Sequence, residues 1–152
     1  LDFGVVPYNK MPVGSCIQMK STDPVVDNTT ITSTTTMLTL NFEPILSNSK
    51  LFIYVEYGRV RSYTTGNSRN RLQHYLKRDG DNIYSLGESP QIRNWNLNGS
   101  SVETDFGPLQ FTYIDQAKGT QQRQYTTTWY SGDAGWNRAG APSVMRIWEY
   151  VQ

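Results

Sequence analysis

Groups able to carry proton transfer, nucleophilic attack or metal ligation are few in this chain. One histidine, His74, and one cysteine, Cys16, stand among 152 residues. Histidine is the commonest proton-transfer group near neutrality because its ordinary pKa lies there. In Arg71-Leu72-Gln73-His74-Tyr75-Leu76-Lys77, strand alternation puts Leu72, His74 and Leu76 on one inward side. That position fits a buried ring hydrogen-bonded to backbone or to a neighbouring side chain, and a histidine with no Cys or His partner does not fit a zinc site. Cys16 has no histidine near it in sequence, so it reads as a small buried apolar residue rather than a nucleophile, and a single cysteine closes no internal disulfide. Asp79, Asp81 and Asn82 carry oxygens but lack the spacing of a calcium loop. Glu88, Asp105, Asp115 and Asp133 fall in or near expected loops. A glycan depolymerase would need two such carboxylates within ~10 Å across a groove, and nothing in the spacing selects a pair. There is no Gly-x-Ser-x-Gly elbow, phosphate-cradling glycine loop or dinucleotide fingerprint. The expectation is a protein that is not an enzyme and holds no cofactor or catalytic metal.

Aromatic surface is what the chain has in quantity, with ten Tyr and four Trp. Rings beside Arg, Asn and Gln suit sugar stacking or protein contact, since they cover apolar area at small entropic cost. Two sets follow. Arg59, Arg61, Tyr63 and Trp136, expected in loops, and Trp95, in an alternating stretch, are expected as a surface recognition set. Phe3, Tyr8, Phe52, Tyr54, Trp148 and Tyr150 are expected at a subunit interface, and Trp129 in the core or at such an interface.

The elements that must position these residues read as strands. Residues 71–84 form a β-hairpin, because Asp79-Gly80 supplies the pair that tolerates positive φ at a two-residue turn. Residues 14–20 are a first strand, and 28–36 a Thr/Ser-rich strand or extended edge. Leu38, Leu40 and Phe42 alternate before Pro44. The most apolar strand is 51–57, with Leu51, Ile53, Val55 and Tyr57 inward and Phe52 and Tyr54 on the other side, a pattern expected of a central strand or one against a partner subunit. Gly58 to Asn70 reads as a basic, aromatic loop. Alternation returns at 92–97, at 109–113 and at 121–130, where Arg123, Tyr125, Thr127 and Trp129 share a side. Residues 132–140 read as a glycine-rich loop around Trp136. The last strand, 143–151, sets Met145 and Ile147 against Val144, Arg146, Trp148 and Tyr150. No stretch longer than a turn shows helical spacing. Roughly eight to ten strands spaced in this way predict an all-β, antiparallel two-sheet sandwich of jelly-roll type.

Length and charge agree with one such unit. The chain suits a single domain able to bury a core without metals or disulfides, read here as an extended N-terminal arm at 1–13 followed by one sandwich at 14–152. An arm carrying Phe3, Val5, Val6 and Tyr8 is expected to lie on its own domain or on a neighbour. Net charge is +1, from 14 basic and 13 acidic side chains, which argues against nucleic acid as a partner. No apolar run approaches the ~20 residues of a membrane-spanning helix, so no membrane insertion is expected, and no leader opens the chain.

Several stretches in shared order carry a resemblance: Val13-Gly14-Ser15-Cys16-Ile17-Gln18, the Thr/Ser tract at 28–36, Phe42-Glu43-Pro44 before Ser47-Asn48-Ser49-Lys50-Leu51-Phe52-Ile53, Leu76-Lys77-Arg78-Asp79-Gly80, and Ser143-Val144-Met145-Arg146-Ile147-Trp148-Glu149. With these, the chain resembles a family of phage virion proteins, of marine and cyanobacterial type, whose C-terminal domains serve as tail-fibre or structural parts. The resemblance implies a non-enzymatic β-sandwich on the virion surface, forming a homotrimer and joined to other virion proteins, either a fibre shaft or the major capsid protein. Together with the strand-rich plan, the scarcity of catalytic groups and the expected loops at Arg59-Arg61-Tyr63 and Gly132 to Gly140, this leads to the expectation of a tail-fibre or spike-type domain that presents loops to a host glycan or surface protein. The alternatives are a capsid decoration protein stabilising the shell, a glycan depolymerase, or a lectin. Trp148 and Tyr150 depart from the family pattern, which has smaller residues there.

Overall fold

The computed structural model describes residues 7–25, 29–31, 33–64, 69–85, 93–95, 102–133 and 136–152. Among these residues ten strands follow a 3-10 turn, Tyr8–Lys10. They are β1 (Cys16–Ser21), β2 (Thr29–Ile31), β3 (Thr34–Phe42), β4 (Lys50–Thr64), β5 (Arg69–Arg78), β6 (Asp81–Ser85), β7 (Arg93–Trp95), β8 (Val102–Gln116), β9 (Arg123–Asp133) and β10 (Trp136–Tyr150). One sheet runs β1-β10-β4-β8 with β2 paired to β10; the other runs β3-β9-β5-β6 with β7 paired to β5. Every pairing is antiparallel. Setting aside short β2 and β7, the first long strand pairs with the last, the second with the seventh, the third with the sixth and the fourth with the fifth. That is one long hairpin rolled over itself, and it defines a jelly roll.

The two sheets close over one apolar layer. Alternation sends Leu38, Leu40 and Phe42 of β3, Leu51, Ile53, Val55 and Tyr57 of β4, Tyr125 and Trp129 of β9, and Met145 and Ile147 of β10 into it, each nearly or fully buried. At the core end of β8, Arg78, reaching across from the other sheet, straddles both oxygens of the buried Asp115 at 2.7 and 2.9 Å. Tyr125 donates its hydroxyl to the same carboxylate at 2.8 Å. The hairpin turn has the two residues expected of it: Asp79 and Gly80 sit at φ 52° and 93° between the paired Arg78 and Asp81. Its tip is clipped to β9. Asp79 Oδ1 accepts the Gln124 amide at 2.8 Å, and Oδ2 accepts from Arg123 at 3.0 Å.

Two expected loops are strand instead. Gly58 and Gly140 bound the two expected loops, and Pro108 and Pro142 lack the amide a regular ladder requires. They sit where the ladder slips: the β4–β8 register skips between Tyr57 and Val60, opposite Pro108, and the β4–β10 register skips between Gly140 and Ser143. Irregularities at one level in three adjacent strands interrupt the ladder without ending it, because a bulge accommodates a proline or glycine that a regular ladder excludes. Residues 59–64 and 136–140 therefore continue β4 and β10. A further bulge falls at Met37 of β3, where the Leu38 amide is satisfied by Thr127 Oγ1 at 3.1 Å. Cys16 is also corrected: it is exposed, at the edge-strand position opposite Tyr150. Among the described residues no helix is long and apolar enough to cross a membrane.

Candidate functional site

The outer face of the β1-β10-β4-β8 sheet gathers most of the expected interface residues. Cross-strand partners point to the same side, so the pairings Met19↔Trp148, Trp148↔Phe52 and Phe52↔Ile114 lay four large apolar side chains in one row across four strands. Met19 is 55% exposed and Ile114 61%. The Phe52 and Trp148 rings stand 5.7 Å apart, and Tyr54 meets Trp148 edge-on at 6.5 Å. Arg146 lies over the Tyr54 ring at 5.8 Å. Tyr54's hydroxyl reaches Glu56 Oε2 at 3.1 Å and Gln110 Oε1 at 3.0 Å, and partial burial with the nearby Glu56 carboxylate raises its pKa. Below the row opens a groove of about 340 Å³ walled by Val13, Phe52, Ile114, Tyr150 and Val151, with Lys50 at its margin.

Phe52, Tyr54, Trp148 and Tyr150 are thus brought together. Tyr8, in the 3-10 turn, is 40% exposed, and Phe3 lies outside the described residues. Met19, Ile114 and Val13 belong to the surface and were missed. Parity alone could have found Ile114, since it alternates with the inward Phe111, Tyr113 and Asp115.

The expected recognition set is distributed differently from its sequence reading. Arg59, Arg61 and Tyr63 lie on the β4 extension and Trp136 opens β10 directly opposite Tyr63. Four of the five therefore stand on strands at one end of one sheet. Trp95 is on β7, opposite Arg69 of the other sheet. The Trp95 and Trp136 side chains lie outside the described residues. Arg59 forms an ion pair with Asp105, whose other oxygen accepts the Gly107 amide at 2.9 Å. The arginine hydrogen bond, helped by that amide, holds the Asp105 carboxyl below its ordinary pKa.

Inside the sandwich, His74 is fully buried, as alternation requires. Its Nε2 is 2.9 Å from the Tyr57 hydroxyl. Rings of Phe111, Trp129 and Tyr57 meet it edge-on at 4.7, 4.7 and 5.5 Å. Nδ1 has no hydrogen-bond partner among the described residues. Burial lowers its pKa from 6.5 to about 3, so the ring is neutral at physiological pH, and burial likewise raises the Tyr57 phenol. A neutral imidazole sealed from solvent can organise packing but cannot reach a substrate. Of the carboxylates considered for hydrolysis, Asp105 and Asp115 are ten residues apart along β8, about 33 Å at ~3.3 Å per residue, so these two form no catalytic pair. Glu88 and the Asp133 side chain lie outside the described residues. A buried carboxylate unforeseen in sequence is Glu149, which accepts the amides of Ile45 and Leu46 at 2.8 and 2.9 Å and bonds from Ser49 and Gln18. It pins the turn between β3 and β4 to the last strand.

No family model matches the chain, and no curated protein sequence matches it. Among solved structures it is similar to a chain from the infectious bursal disease virus Gt strain, with 14% identity and a TM-score of 0.41 over all of this chain and 42% of that one. Similar too are a chain from the Gx strain of that virus (14%, 0.33, covering 97% and 40%) and one from its VP2 subviral particle (14%, 0.31, covering 91% and 39%). The chain spans about two fifths of the length of these matches. At these values the likeness carries no functional weight, and the jelly roll stands on this chain's own strand order.

Proposed function

We propose that the chain is a non-enzymatic structural domain of a phage virion surface, of tail-fibre or spike type, which assembles with copies of itself through the outer face of the β1-β10-β4-β8 sheet. The observation that carries this reading is the Met19–Trp148–Phe52–Ile114 row, an apolar band crossing a whole sheet on the side away from the core. The phage assignment comes from the sequence resemblance, and the jelly roll, an architecture used in viral coats and lectins, is consistent with it.

The energetics favour association. Immobilising a partner costs ~4–15 kcal/mol, which at ~25 cal/mol per Å² is offset by roughly 160–600 Å² of apolar burial. Met19 and Ile114, both more than half exposed, supply part of that area, and Phe52, Tyr54, Trp148 and Tyr150, already partly buried in the monomer, add what remains of their surface. Sedimentation equilibrium tests the assembly: a homotrimer is expected, and a concentration-independent monomer overturns it. Met19→Lys together with Ile114→Glu should give a monomer whose unfolding free energy changes by less than about 1 kcal/mol, since both side chains are more than half exposed. Antibody labelling of intact particles tests the location. Label on fibres supports the reading, and label spread over the shell replaces it with capsid decoration.

A further inference from the structure

The outer face of the other sheet has different chemistry, and nothing above accounts for it. Strand pairing sets Thr34, Tyr130 and Gln73 in one cross-strand row and Thr128 with Tyr75 in the next; Lys77 and Asn82 face each other in a third. These residues wall a shallow trough of about 360 Å³. Thr128, 4% exposed, is its floor, and Tyr130, 37% exposed, stands at its rim. Tyr75 donates its hydroxyl to Gln73 Oε1 at 3.0 Å, which fixes that amide with its NH2 group left to donate. The Tyr130 hydroxyl, the Asn82 amide and the Lys77 ammonium take no partner among the described residues.

We propose that this trough is a saccharide-binding subsite, with Tyr130 as the stacking platform and Gln73, Asn82 and Lys77 as the hydrogen-bonding groups. A sugar presents an apolar ring face flanked by hydroxyls that both donate and accept. The trough offers phenol faces for the first and amide, hydroxyl and ammonium groups for the second. Its walls hold one cation and no carboxylate, which suits a neutral sugar or one bearing a single acid group. A protein partner fits less well: interface anchors are Trp, Tyr and Arg side chains in fully desolvated pockets ringed by apolar contacts, whereas this trough is shallow and lined mostly by polar groups. The two outer faces thus divide the labour, one for assembly and one for a glycan. The proposal rests on the reading of the chain as a tail-fibre or spike-type domain.

The test uses the full chain. Binding is screened on a broad array of bacterial surface glycans, and the best oligosaccharide is titrated into ¹⁵N-labelled protein at millimolar concentration. Amide shifts are expected at residues 34, 73–77, 82 and 128–130. Tyr130→Ala and Asn82→Ala should each weaken binding at least about fivefold with an unchanged unfolding midpoint, while Trp148→Lys, on the other face, should not weaken it. No binding on the array, shifts confined to other parts of the molecule, or undiminished binding by Tyr130→Ala each overturns the subsite. Binding of proteins but not glycans by this face overturns it also. None of these outcomes touches the trimer measured by sedimentation, so failure of the subsite and failure of the assembly are separable.

Discussion

Protonation of His74 is the perturbation whose size follows most directly from the structure. The unfolded chain carries this imidazole with a pKa of 6.5, whereas burial among Tyr57, Phe111 and Trp129 lowers it to about 3. The folded state therefore binds fewer protons than the unfolded state between these values, and stability falls as pH drops through 6.5. At about pH 5 the unfolded imidazole is nearly all protonated and the folded one nearly all neutral. The difference of roughly 1.5 pH units between 6.5 and 5, at ~1.36 kcal/mol each, gives a loss of about 2 kcal/mol relative to pH 7.5. That loss is set almost wholly by the unfolded pKa. Because the chain has one histidine, His74→Gln removes the effect at its source while keeping a group able to bond the Tyr57 hydroxyl. Urea unfolding followed by tryptophan fluorescence at about pH 7.5 and pH 5 is the assay. The variant is expected to be less stable at neutrality, through lost ring contacts, but its decline on acidification should be smaller by about 2 kcal/mol. Asp79 and Asp105 do not confuse the comparison: their pKa values are lowered below 3.8, so the stability they contribute is lost only as pH falls beneath that. Equal declines in wild type and variant would refute a buried neutral imidazole.

Two further outcomes concern the framework. Leu76→Ala, at a fully buried site on β5, should cost ~2–5 kcal/mol in chemical denaturation, and a cost under half a kcal/mol would mean that β5 does not bear on the core. Glu149→Gln puts an NH2 group among donors that now share a carboxylate, so it should cost roughly 3 kcal/mol and speed hydrogen exchange at the Ile45 and Leu46 amides; unaltered exchange there would show that the turn holds itself.

The sequence alone determined the parts of the fold that depend on near neighbours. Period-2 alternation decided that Leu51, Ile53, Val55 and Tyr57 are inside with Phe52 and Tyr54 outside, and that His74 points inward on the same side as Leu76. Asp79-Gly80 decided the hairpin, because few residue pairs tolerate positive φ twice in succession. What only the tertiary structure decided is which strands lie side by side. Gly58, Pro108, Gly140 and Pro142 end a strand if it is alone, but here three neighbours slip at one level and the ladder continues beyond, turning two expected loops into strand. Met19 and Ile114 join Phe52 and Trp148 only because β1 and β8 flank β10 and β4, and Tyr130 meets Gln73 only because β9 lies against β5. A residue's own strand fixes which way its side chain points, and long-range pairing fixes what it meets there.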